Sequence, residues 1–162
     1  MARLIIFAAF FVLSVASSLP SEAGSGPAGH KHHMGGFSAG EPGDAKKPSR
    51  VIQVTMQENE GRMLFEPDRV EIRKGEQIKF VLHNSGELDH EFVLATTAEN
   101  LEHAEMMKKN PEMGHADPNA RRVAPKQTSE IAWKFTKPGK FEFACLIPGH
   151  RDAGMFGTVE VK

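Results

Sequence analysis

Within the eleven residues CLIPGHRDAGM, Cys145 to Met155, three donor types stand close together: a thiol at Cys145, an imidazole at His150 and a thioether at Met155. That set suits a mononuclear copper site. A soft thiolate favours Cu(I), imidazole accepts both oxidation states, and a weak axial thioether holds the geometry between the preferences of the two. A plane of two histidines and one cysteine with an axial methionine takes four ligands, so one more imidazole must come from elsewhere. The best candidate is His90, which opens the strand-like run HEFVLA. Its rival His83 follows Leu82 at the end of a strand-like run and has the opposite parity to that apolar residue, which points it to solvent.

These donors need rigid elements behind them, and the flanking pattern supplies strands. Phe141, Phe143 and Cys145 share one side of an extended segment, so the thiol lies on the face that buries two aromatic rings. The alternative role for Cys145 alone is that of a small core residue; its company of His150, Met155 and His90 favours the ligand. Upstream, Ile52, Val54 and Met56 alternate with polar residues, as do Val70 and Ile72, then Ile78, Phe80 and Leu82, then Ile131, Trp133 and Phe135; Gly157 to Val161 closes the series. Lys74-Gly75 marks a turn, and Lys137-Pro138-Gly139-Lys140 predicts a type II turn. Short strands with little helix imply an all-β antiparallel sandwich.

One helical insertion interrupts the strands. Thr96 and Glu99 form a candidate capping box, and residues 98–110 read as a helix that Pro111 helps to end. His103, Met106 and Met107 stand at i, i+3 and i+4, with Met113 and His115 following. They form either an accessory Cu(I) site or docking patch for a copper donor, or, the preferred reading, a helix face packed on the sandwich through Leu101 and one or both methionines.

The ends of the chain read differently from its middle. Residues 1–23 carry Arg3, a short apolar run and small residues at Ser21 and Ala23, which is the pattern of a secretory signal cleaved near Ala23 and leaves no membrane span in the mature chain. Residues 24–49, rich in Gly and Pro, are expected to form a flexible tail ahead of a domain at 50–162. His30, His32, His33 and Met34 in that tail read equally as a transient copper site or as solvated polar residues. A formal net charge of -1 gives no basis for a nucleic-acid surface, and a single cysteine rules out an intramolecular disulfide.

The spacing C-x4-H-x4-M with Pro148-Gly149-His150 resembles the ligand loop of rusticyanin-type cupredoxins, and residues 50–162 resemble the periplasmic CopI-type cupredoxins associated with copper tolerance. The resemblance implies a Greek-key β-sandwich with one type 1 copper held by His90, Cys145, His150 and Met155. It also implies a role in copper tolerance through binding and redox cycling of Cu(I) and Cu(II). One position departs from the pattern: many blue-copper proteins follow the first histidine with Asn, whose side chain ties the two ligand loops together, and here Glu91 follows.

Other copper and zinc chemistries fit less well. Ala144 and Leu146 stand where a multicopper oxidase needs histidines, a binuclear site would need a second cysteine, and copper nitrite reductases resemble two fused domains. Structural zinc rarely recruits Met. No nucleophile and base pair stands out, so the chain reads as a non-enzyme. The alternative role is a soluble electron carrier that docks a redox partner at the His150 edge, beside Pro148, Ala153 and Phe156. A non-redox adhesion module is disfavoured by the complete donor set.

Overall fold

A computed structural model describes residues 36–110 and 117–162. Strand β2 (Arg50–Asn59) turns into β3 (Arg62–Glu66); β4 (Arg69–Ile72), β5 (Gln77–Asn84) and β6 (His90–Ala95) precede helix α1 (Thr97–Lys109). After it come β7 (Ala120–Val123), β8 (Thr128–Lys134), β9 (Gly139–Ala144) and β10 (Phe156–Val161), and a two-residue strand β1 (Glu41–Pro42) comes before them all. Two five-stranded sheets result, ordered β1-β8-β5-β2-β3 and β4-β10-β9-β6-β7. Alternation in the sequence becomes one-sided burial: Val54 and Met56 on β2, Ile78, Phe80 and Leu82 on β5, and Ile131 and Trp133 on β8 all point into a shared core.

The sandwich is not purely antiparallel. β2 pairs parallel with β5, and β4 pairs parallel with β10. After the β2–β3 hairpin the chain crosses to the second sheet for β4 and returns as β5 beside β2, running in the same direction. Strands β3 and β7, which carry little alternation, were not signalled by the sequence pattern.

Two sequence expectations are corrected. Pro138-Gly139 does not make a type II turn: Gly139 has φ 143°, far from the value near 80° which that turn needs at its third position, and it already belongs to β9. The second half of the supposed tail is also packed. Glu41 and Pro42 pair with Lys134 and Trp133, Ala39 is fully buried, and the Phe37 ring meets the Trp133 indole edge-on at 5.1 Å. Phe37 and Ala39 supply apolar burial that the Gly and Pro around them masked. Residues 1–35, which include the signal-like segment, lie outside the described residues.

Helix α1 begins where the capping box places it. The Thr96 hydroxyl accepts from the Glu99 backbone N–H, and the Glu99 carboxylate accepts from the Thr96 backbone N–H. The helix covers the outer side of the second sheet. Met107 and Ala104 pack there on Val93, Ala144 and Leu146, while Phe92, Phe143 and Cys145 face the main core. This is why β6 is buried along its whole length and β9 over its last four residues.

Candidate metal centre

Strand β6, which opens on His90, and strand β9, which ends one residue before Cys145, are neighbours in the second sheet. Their register is fixed in the core by Phe92 and Phe143, whose rings stack at 5.1 Å with 15° between planes. Each ring lies two residues from a donor, so the stacked pair sets the strand ends from which His90 and Cys145 project.

From Cys145 the chain makes a loop closed by its own backbone. The Cys145 N–H donates to Met155 O, the Met155 N–H to His150 O, and the His150 N–H to Ile147 O. The last bond closes a turn with Pro148 second and Gly149, at φ 88°, third, which are the residue types and angle of a type II turn. Arg151 then clamps the loop from outside. It forms a two-pronged ion pair with Glu142 of β9 at 3.1 and 2.9 Å, and buried Asn100 of α1 donates to the same carboxylate.

One ligand atom from each of His90, Cys145 and His150 lies within 4.8 Å of the others, and all three residues are buried. The His150 Nδ1 is 3.3 Å from Cys145 Sγ. The other ring is held from behind: His90 Nε2 meets Glu58 Oε1 at 2.9 Å, which leaves His90 Nδ1 buried with no hydrogen-bond partner. An orphaned imidazole nitrogen beside a thiol and a second imidazole is chemically suited to a metal ion, and the donor set is the one copper prefers. Met155, fully buried in the same core, stands where the loop closes on Cys145.

The electrostatics suit neutral ligands. Burial pushes both imidazoles below the ordinary histidine value, against the opposing pull of Glu58 on His90 and with help from the neighbouring His90 on His150. Burial likewise pushes the Cys145 thiol up to about 12, although the Glu91 and Ile147 backbone N–H groups act the other way. Without a cation the sulfur stays a thiol, so metal binding must release its proton.

Glu91 occupies the position where a tie between the two ligand segments is needed. Its backbone N–H donates to Cys145 Sγ at 3.3 Å, and its buried carboxyl, raised to about 7 by burial, is drawn the other way by Arg122 and by the Leu146 N–H. The link between β6 and the Cys145 loop is therefore made by the backbone of this residue, with its carboxyl buried beside it.

The remaining candidates separate. His83 is exposed, with Nδ1 3.1 Å from the Thr128 hydroxyl. The trio on α1 does not act as one face: Met107 is buried in the small core under the helix while Met106 is 42% exposed, and His103 is partly buried. His30, His32, His33, Met34, Met113 and His115 lie outside the described residues. Two positioning residues escaped the sequence reading. Glu58 had no signal beyond a charge in a strand. Asn84 had one: the Asn84-Ser85-Gly86 run forms a side-chain turn in which Asn84 Oδ1 accepts from the Gly86 N–H, and its amide donates to Leu88 O and Val123 O.

Known proteins resemble this arrangement. The family described as copper-binding proteins of the plastocyanin/azurin type matches residues 52–162. The chain is 45% identical over 159 residues to the copper-resistant cuproprotein CopI of Rubrivivax gelatinosus, covering 98% of this chain and 94% of that one. It is 35% identical to the copper-resistant cuproprotein CopI of Pseudomonas aeruginosa, over 78% of this chain and 84% of the other. A solved structure of auracyanin B shares the fold, with a TM-score of 0.60 at 18% identity over 78% of this chain and 96% of that chain. Family match and relatives agree with the buried His-Cys-His cluster, and the chain belongs to the copper-binding plastocyanin/azurin family.

Proposed function

We propose that this chain is an exported copper-tolerance protein that holds one copper ion between His90, Cys145 and His150, with Met155 as the weak fourth donor. The observation that carries this reading is the convergence of three buried ligand atoms within 4.8 Å. The two relatives named as copper-resistant cuproproteins support the tolerance role. A bound copper would supply one-electron exchange between Cu(I) and Cu(II) in a site shielded from water.

The chain's own residues explain why that exchange needs little rearrangement. Cys145 and Met155 are tied by a backbone hydrogen bond, His150 by the type II turn, and His90 by Glu58. No group in the cluster has to swing to change its donor set. The role read from this site is the binding and one-electron cycling of copper, with the Cys145 thiol and the His150 imidazole, 3.3 Å apart, serving as metal donors. Exposed Pro148 and Phe156, with partly exposed Ala153, surround the outer side of the ligand loop and make the docking patch for a redox partner or copper donor. Periplasmic location follows from the signal-like segment at 1–23 together with the tolerance role; among the described residues no helix is long and apolar enough to cross a membrane.

A copper titration of the mature chain tests the reading, following the thiolate-to-copper absorption and the bound metal together. Saturation of both at one equivalent supports a single cluster site. An absorption that saturates at one equivalent while further copper binds tightly adds the His/Met segments to the tolerance role. Absence of the absorption overturns the assignment.

A further inference from the structure

Glu58 lies on β2 in the first sheet, remote in sequence from every donor, yet its carboxylate touches the centre. Oε1 accepts from the Leu88 N–H at 3.0 Å and meets His90 Nε2 at 2.9 Å, while Oε2 accepts from the Glu87 N–H at 3.0 Å. The chain between β5 and β6 is built around it. A Cβ on Gly86 would collide with this carboxylate, so the glycine is what lets the loop close over it. The His90 ring is fully buried, whereas the Glu58 side chain keeps 25% of its surface exposed.

A carboxylate facing one nitrogen fixes where the ring proton sits. With Oε1 as an acceptor, Nε2 carries the hydrogen and Nδ1 offers its lone pair, which is the nitrogen left without a partner. The same hydrogen bond increases the basicity of the ring, because negative charge next to Nε2–H gives the imidazole partial imidazolate character. His150, by contrast, is placed by the backbone of its own loop. The two imidazoles are thus unequal donors.

We propose that Glu58 is a positioning residue that fixes the His90 tautomer and strengthens it as a donor to Cu(II), lowering the reduction potential of the centre. This rests on the copper reading given above. A stronger, harder donor stabilises the higher oxidation state more than the lower one. Glu58 acts through His90 and does not bind the metal itself. By holding Glu87 and Leu88 with the same carboxylate, it also makes the β5–β6 connection part of the support of the ligand.

The test is Glu58→Gln in the mature chain loaded with copper, set beside the wild type. The variant keeps the shape of the side chain and removes its charge. The expected result is a folded protein with the thiolate-to-copper absorption, whose affinity for Cu(II) falls about tenfold relative to Cu(I), equivalent to a potential raised by about 59 mV for a one-electron couple. A potential and absorption unchanged from wild type would overturn the proposal, whatever happens to the stability of the metal-free protein, since a simple loop brace would move only stability. If Glu58→Gln fails to fold, proton NMR of wild-type protein in the Cu(I) form decides. A deshielded, slowly exchanging Nε2–H on His90 supports the role, and one that exchanges as fast as the corresponding proton of His150 refutes it. A wild type with no thiolate-to-copper absorption would instead sink the copper reading, an outcome that no result with the variant imitates.

Discussion

The two sides of the metal centre are held in different ways. Cys145, His150 and Met155 come from one loop whose shape is set by neighbours in sequence: a Pro-Gly turn, backbone bonds within eleven residues, and Arg151 on Glu142 of the preceding strand. His90 is placed across the sandwich by Glu58, 32 residues away and behind the ring, while Asn84 fastens the connection that leads to it by bonds to Leu88 and Val123. The first side is local and self-contained. The second is assembled only when two sheets have formed, which teaches that the half of a site contributed by one residue is the half that depends on the rest of the fold.

The comparison can be broken most completely from the local side. Cys145→Ser should abolish the thiolate-to-copper absorption and leave the sandwich folded, because the hydroxyl still fits the space and the Glu91 N–H; visible absorption and circular dichroism check both halves of that statement. On the remote side, Asn84→Ala removes three hydrogen bonds from a buried side chain. At about 1 kcal/mol each, it should lower the stability of the metal-free protein by about 3 kcal/mol, measured by chemical denaturation, with a smaller change of potential than Glu58→Gln.

A matched pair of glycine variants sharpens the contrast. Gly149→Ala, in the loop turn, faces open space and bears only the strain of φ 88°, about 1 kcal/mol, so its copper spectrum should stay close to wild type. Gly86→Ala must displace a Glu58 carboxylate pinned by three partners, and should change the spectrum and potential although Gly86 contributes no donor. Equal effects of the two would erase the distinction between the sides.

The smallest effect lies at the helix, away from both. Thr96→Ala removes the cap of α1 and should cost about 1 kcal/mol in denaturation without altering the centre. Burial raises the Glu99 carboxyl, but hydrogen bonds from Ser38 and Thr96 outweigh it and leave it below the ordinary carboxylate range. A lowered folded value means that the ionised group stabilises the fold above the unfolded carboxylate pKa, a contribution lost as pH falls through the folded value. Glu99→Gln should therefore be less stable than wild type at neutral pH, with the gap closing in acid.

Legibility in the sequence followed the same division. The shared face of Phe141, Phe143 and Cys145 and the capping box of α1 are local patterns that the structure reproduces, and it brings Cys145 and His150 of the spaced donors together with His90. His90 was legible as an imidazole opening a strand. Glu58 was not, because its partners lie about thirty residues away and a glutamate in a strand ordinarily faces solvent. The parallel pairings of β2 with β5 and β4 with β10 were also hidden, since alternation reveals which face of a strand is buried and not which neighbour it joins. On α1 the packing expected of one or both methionines is made by Met107, while Leu101 and Met106 stay exposed, because residues on one helix face can still fall on either side of the line where the neighbouring sheet ends.

The contact of Phe37 with Trp133 gives the protein an optical reporter. The chain has one tryptophan and no tyrosine, so its intrinsic emission comes from a single indole, fully buried and met edge-on by Phe37. Release of the segment that carries Phe37, Ala39 and β1 would admit water to that indole and shift its emission to the red while the sheets remain paired. Fluorescence could thus follow detachment of the N-terminal segment separately from the colour of the copper centre.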